Sequence, residues 1–428
     1  MSKNANSKRS LRHPQQARAI EKKAHRLRLL YLDFDVGYMN PTRALLPKIL
    51  NMAADLTLFG PGYSTPEEVE AGPSAFAEQH GPFDAVMGNE YALMRPGFSE
   101  EFARNSWFLN HACRFDRSWI IKGAEYFTFM RDFPGYRFLS LFQLDHYGLT
   151  KDFVEMFTEI SDYQICWGRE FLQKKSYVSS DTFIPSGANQ KIYDHWNDNY
   201  LDFVTRNENR ILSTPEYVAA TKMCDTRLNQ RPYPWSVLGA DYDARVRTRE
   251  VLDDSGIKRT GTWLPYIYSL ADQIGFNIFS RYWTIGLMNW LFTAALRRSR
   301  YGYTCGSILR WPITKYYEIP ANGCVLVSEP CNGFAALGFK HKKNAITCSS
   351  KEILDIHAWL EADPERAQAI ADAGRNLIAE CHTAESRALQ LEESFLRIQE
   401  DRFHGSYWEE GGLRFRRPVK AKMVASEC

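Results

Sequence analysis

The sequence predicts an α/β protein made of two doubly wound halves. Short apolar runs recur and end in glycine or polar residues, as strands of a parallel sheet buried on both faces do. Amphipathic stretches alternate with these runs, the order expected of doubly wound βαβ units. A proline-rich break, RPYPW at 231–235, divides the pattern in two. With 428 residues the chain has room for two or three domains at roughly 100–200 residues each. Its 44% hydrophobic and 14% aromatic content is ample for large cores and excludes a disordered chain.

The first element is LRLLYLDFDVG (27–37), an apolar run ending in Asp33, Asp35 and Gly37, followed by the helical pattern TRALLPKIL (42–50). ADLTLFG (54–60), FDAVMGNE (83–90), FLSLFQLDHYG (138–148) and DYQICWG (162–168) read as further strands. Ligands of open α/β sheets bind at the carboxyl ends of strands, which places Gly37, Asn40, Glu90, Asp145 and His146 along one crevice edge.

The second half opens with WSVLGADYDARVRTREVLDDSGI (235–257), read as strand, loop and basic helix. GCVLVSE (323–329) and NAITCSS (344–350) follow as strands. Ser349-x-x-Glu352 has the spacing of a capping box, with Ile353, Ile356 and Leu360 on one helical face. Asp363-Pro364 is an N-cap followed by proline at the first helical position. The expected organisation is a basic tail at 1–26, a first domain at 27–230, a second at 231–395 and a C-terminal tail at 396–428.

Charge nearly cancels, with 53 Lys+Arg against 51 Asp+Glu, so no global field draws the chain to nucleic acid. Nine cysteines show neither paired nor zinc-like spacing, so no disulfide framework or structural metal is expected, and a reducing, cytoplasmic setting fits. Residues 1–28 hold nine basic residues and a single acid, Glu21. Such a segment is either a solvated tail or a weak peripheral foothold on an anionic membrane, where each basic residue contributes about 1 kcal/mol. FNIFSRYWTIGLMNWLFTAAL (276–296) carries Asn277, Arg281 and Asn289, and a charge at a bilayer centre costs at least about 2.5 kcal/mol. A buried aromatic helix is expected there instead.

A Walker A loop, GxGxxG, GxSxG and HExxH are all absent, which sets aside P-loop hydrolysis, typical dinucleotide dehydrogenases and α/β-hydrolases. The informative stretch is KYYEIPANGCVLVSE (315–329). A short helix with Lys315 and Glu318 stops at Asn322-Gly323 and passes at once into a strand. On spacing alone, Lys315 and Glu318 also fit an ordinary i, i+3 helix ion pair.

This stretch resembles the nucleotide-binding segment of GT-B glycosyltransferases, especially the CgeB-like, family 1 type. The resemblance continues through 344–393, with the D-P-E helix start at 363–365, A-G-R at 373–375 and H-T…R at 382–387. It implies two Rossmann-like domains facing a central crevice and a nucleotide-sugar donor, a UDP-sugar, with transfer to a glycan, lipid or protein acceptor. It further implies that Glu318 holds the ribose hydroxyls and that Lys315 lies near the diphosphate. Arg245 and Arg247 would face the phosphates, a task that needs no bound metal or other cofactor. Gly37 would let the first loop approach the donor closely, and Asp145 or His146 would orient or deprotonate the acceptor. His382 and Arg387 are expected to pack between domains. Related retaining enzymes carry an acid eight residues before the position of Glu318, where this chain has Arg310. That basic residue points to a phosphate or an acidic sugar, or to a surface charge. A nucleotide-sugar epimerase and an inactive nucleotide-sugar-binding scaffold are the alternatives.

Overall fold

Apolar runs become the inner strands of two parallel sheets. A computed structural model of the chain describes residues 26–35, 45–89, 92–93, 118–141, 151–172, 200–219, 222–239, 242–261, 282–306 and 310–418. In the first sheet β1 (Arg28–Leu32), β2 (Asp55–Phe59), β3 (Ala85–Asn89), β4 (Tyr136–Leu141), β5 (Tyr163–Cys166) and β6 (Ile211–Ser213) take the order β2-β1-β3-β4-β5-β6. Every pairing is parallel. Helices α1 (Leu45–Ala53), α2 (Pro66–His80), α3 (Ser118–Asp132) and α4 (Lys151–Ile160) make the crossovers. On α1, Leu46, Ile49, Leu50 and Ala53 form the buried stripe that its sequence period requires.

The chain order reverses at β1, which lies between β2 and β3, so the carboxyl ends of β1 and β3 border a switch point. Asp33 at that edge is buried and accepts hydrogen bonds from the Tyr31 hydroxyl (2.9 Å), Asn89 Nδ2 (3.1 Å) and the Phe34 amide (2.8 Å). The polar end of this strand is thus built into the scaffold.

In the second half β7 (Tyr233–Ser236), α5 (Asp243–Asp254), α6 (Tyr282–Arg297), β8 (Ser299–Thr304), α7 (Lys315–Ala321), β9 (Val325–Ser328) and β10 (Ile346–Thr347) build a sheet of order β10-β9-β8-β7. The proline-rich break is itself strand: Pro234 lies in β7, and an outer strand tolerates a residue without an N–H. The stop after α7 is as expected. Gly323 has φ 70°, and a Cβ there would come within 2.7 Å of Arg231 Nη2 and 2.9 Å of Cys224 O, so only glycine fits the turn. Next come α8 (Ile353–Glu361), preceded by the reciprocal Ser349–Glu352 capping box, and α9 (Pro364–Cys381), whose Asp363 cap accepts from the Arg366 amide at 3.0 Å.

Two expectations need correction. The boundary at 395 falls inside α10 (Ala384–Gln399), which packs back on the first half. Ala388, Leu391 and Phe395 join Leu46, Ile49 and Phe138 in one core, with the Phe395 and Phe138 rings 5.2 Å apart. Nor is 396–418 a loose tail. Its hairpin, β11 (Ser406–Glu409) and β12 (Gly412–Phe415), seats Trp408 so that Nε1 donates to Ser213 O at 3.0 Å. The chain therefore crosses between halves twice, and the two crossings pair: Val218 N donates to His382 O and Ala384 N to Val218 O.

The second correction concerns α6, expected to be buried. Leu296 is enclosed, but Trp290 is 65% and Leu287 45% exposed, so one apolar face looks outward. None of the described helices is long and apolar enough to cross a membrane.

Candidate functional site

Helix α7 is short because Pro320 and the Asn322-Gly323 stop end it after two turns, and its first turn carries Lys315 and Glu318. The two do not pair along the helix. Glu318 Oε1 instead accepts from Lys222 Nζ at 2.7 Å, a residue of the first crossing, 96 positions away.

Lys315 turns toward the loop after β7. A Cβ placed on Gly239 (φ 110°) would lie 2.6 Å from Lys315 Cε, 3.0 Å from its Nζ and 2.9 Å from Arg245 Nη1. Two cations thus converge on one glycine, and any side chain there would displace them. Arg245 is 1% exposed, donates from Nη2 to Thr304 Oγ1 at 3.1 Å and lies over the Tyr242 ring. Burial, and then the neighbouring Arg245 charge, push the Lys315 ammonium down to about 8. Lys315 Nζ also lies 5.5 Å from the centre of the Phe292 ring of α6. Glu216, on the first crossing, closes the cluster. Its carboxyl accepts from the Thr314 hydroxyl, and burial, with Glu318 nearby, pushes it up to about 7.

A second group of charges stands at the carboxyl end of β9. Burial raises the Glu329 carboxyl, Asp243 adds to the rise, and Arg310 and Arg247 oppose it. Arg310 is exposed and takes the left-handed conformation, φ 54°, with its carbonyl accepting from Asn332 N at 2.9 Å. Arg247 pairs with Asp243 at 2.9 Å along α5, the helix-face role, while its field still reaches Glu329.

The structure therefore brings Lys315, Glu318 and Arg245 together, and sets Arg247 and Arg310 around Glu329. Gly37, Asp145 and His146 lie outside the described residues, as does the basic tail at 1–25. His382 and Arg387 are buried between the halves: Arg387 lies 4.4 Å from the Trp408 ring centre, donates to Glu216 O at 3.0 Å and meets His382 Nδ1 at 3.2 Å. Burial first, then Arg387, hold His382 down to about 3, so it stays neutral. Sequence reading missed Glu216, Lys222 and Glu329. Only Glu329 left a local signal, an acid at the end of a buried strand; the other two reach the site across about 100 residues of chain.

Residues 273–393, which hold Lys315 and Glu318, match the family model described as glycosyl transferase-like. The match lies in the C-terminal half and leaves the first half untouched. Among solved structures, the chain is similar to Anabaena HepE in complex with UDP and glucose (11% identity, 86% of this chain and 99% of that one, TM-score 0.45). It is also similar to a glycosyltransferase from Rickettsia africae (10% identity, 88% and 100%, TM-score 0.48) and to sucrose-phosphate synthase from Thermosynechococcus elongatus (10% identity, 87% and 100%, TM-score 0.48). A search of curated proteins finds no match. The matched residues include Lys315 and Glu318, whereas Arg245, Gly239 and Glu216 precede them.

Proposed function

We propose that this protein transfers a hexosyl unit from a nucleotide sugar, a UDP-sugar, to an acceptor hydroxyl, and that basic side chains rather than a metal serve the diphosphate. The observation that carries this reading is the convergence of Lys315 and Arg245 on Gly239. Two like charges held together with part of their hydration removed destabilise one another. A diphosphate seated against them removes that cost, and the same cations stabilise the charge that grows on the departing nucleotide. Lys315, pushed down to about 8, is drawn fully to its charged form by an anion.

Glu318 takes the ribose. Its carboxylate has acceptor capacity for both vicinal hydroxyls, and Lys222 holds it in place through Oε1. Arg310 stands where related retaining enzymes carry an acid, and with Glu329 it supplies a mixed-charge wall to the donor sugar. Asp145 or His146 acts on the acceptor, a role given by their place after β4 in the sequence. The acceptor is a glycan, a lipid or a protein, and the thiols, free among the described cysteines, suit a reducing cytoplasm.

The test is thermal melting of the full chain with UDP, UDP-glucose and UDP-GlcNAc, each with and without EDTA. Binding to the folded state raises the midpoint, by about 2.7 kcal/mol of stability at a hundredfold excess over Kd. A rise that survives EDTA is expected. Loss of the rise on chelation, restored by manganese, would refute the metal-free part, and no rise with any uridine nucleotide would refute the donor assignment.

A further inference from the structure

Glu216 lies just beyond β6, on the first crossing, yet its side chain serves the helix that begins with Lys315. Thr314 Oγ1 donates to Glu216 Oε2, and the Thr314 amide also donates to the carboxyl. Thr314 immediately precedes α7 and makes no side-chain cap of its own. The start of α7 is therefore gripped from outside, by a residue 98 positions earlier. That residue is itself braced: Arg387 Nη2 donates to Glu216 O at 3.0 Å, and Val218 pairs with the second crossing at His382 and Ala384.

We propose that Glu216 is a positioning residue for the donor site, its carboxyl setting the first turn of α7 and hence the directions of Lys315 and Glu318. This rests on the reading of Lys315 and Glu318 as donor-binding. Glu216 need not touch the donor; it ties the site to the crossing between halves. A neutral acceptor would hold the helix end as well, but a carboxyl adds a charge that titrates beside Lys315. The groups facing it are Lys315 and Glu318 on α7, Lys222 paired with Glu318, Arg245 beside Lys315, and Tyr217, Tyr317 and Arg387 on its other side.

The sign follows. Neutral Glu216 leaves the Lys315 charge for an incoming anion, while ionised Glu216 offsets that charge. With Glu216 near 7 and Lys315 near 8, UDP affinity should fall as pH rises through that window.

The experiment is calorimetric titration of UDP into the full chain, Glu216→Gln and Glu216→Ala at pH 6, 7 and 8, with hydrogen exchange of the amides at 314–321 in each protein without UDP. Glutamine keeps a carbonyl acceptor for Thr314 but cannot ionise. Glu216→Gln should bind UDP at pH 6 much as the parent does and lose less affinity toward pH 8. Glu216→Ala should bind about tenfold more weakly throughout, with faster exchange at the start of α7. Parent-like affinity and exchange in both variants would overturn the proposal. So would an equal loss in both with the parent's pH slope, which is what a merely structural role gives. Should the parent bind no UDP at any pH, the donor reading falls, and exchange alone decides: unchanged protection of α7 in Glu216→Ala overturns the positioning role.

Discussion

Two buried cationic sites in the same half of the molecule are built in opposite ways. Arg231 donates from Nη1 to Ser299 O (2.9 Å), from Nη2 to Thr226 O (2.7 Å) and Asn322 O (2.9 Å), and from Nε again to Thr226 O (3.2 Å). Its guanidinium fork is spent on backbone carbonyls, and it ties β8, the end of α7 and the first crossing together. Lys315 and Arg245, by contrast, are turned toward each other across a glycine, and the field of one lowers the proton affinity of the other. A buried cation whose donors are matched by local acceptors is scaffold. One held against a like charge is poised for an anion that is brought in.

The largest break in this comparison comes from Arg231→Met, which keeps bulk and removes the donors. The Thr226, Asn322 and Ser299 carbonyls each lose the Arg231 donor, so stability should fall by about 3–5 kcal/mol, read as the midpoint of chemical unfolding. Substantially parent-like stability would mean that the carbonyls find other donors and that Arg231 is no staple.

Lys315→Met should behave in the reverse sense. A lysine whose folded-state proton affinity is depressed destabilises the fold wherever it is charged. That cost is full below about 8 and fades as pH rises toward 10.5, where the unfolded chain loses the proton too. The variant should therefore melt no lower than the parent at pH 7, with the difference shrinking above pH 8. Its UDP affinity should fall roughly 10- to 150-fold, the worth of one charge-assisted hydrogen bond. A drop in stability at pH 7 together with unchanged UDP binding would move Lys315 to the scaffold.

The contrast also explains what could be seen in the sequence. Strands such as Arg28–Leu32 and Val325–Ser328 were legible because a strand buried on both faces leaves a continuous apolar run. The end of α7 was legible because Asn-Gly is a local stop, and Lys315 and Glu318 because they sit against it. Glu216 and Lys222 were not, since nothing near them in the chain refers to a helix about 100 residues on. The return of α10 to the first half was hidden for the same reason: its apolar stripe reports a buried face without saying whose. In α6 the apolar content itself misled. Nearly every position is nonpolar, so no period marks the outward face that carries Leu287 and Trp290.

The smallest effect sharpens the comparison most, because it sets two glutamates of the matched region, residues 273–393, side by side. Glu318 and Glu352 both stand in first turns and both are held by a neighbour. Glu352 accepts from the Ser349 amide at 2.8 Å, and that hydrogen bond keeps its carboxyl below the usual range. Its partner is local, so Glu352→Ala should lower stability slightly and leave UDP affinity unchanged. Glu318 is held by Lys222 from another part of the chain, with acceptor capacity left over. Glu318→Gln keeps the shape, removes the charge and replaces one acceptor oxygen with a donor, so UDP affinity should fall about tenfold. Uracil, which lacks the ribose and the phosphates, is the control: its weak binding should be the same in Glu318→Gln and the parent. Equal UDP affinity in Glu318→Gln and Glu352→Ala would make both glutamates caps, and α7 would then be a helix end like any other.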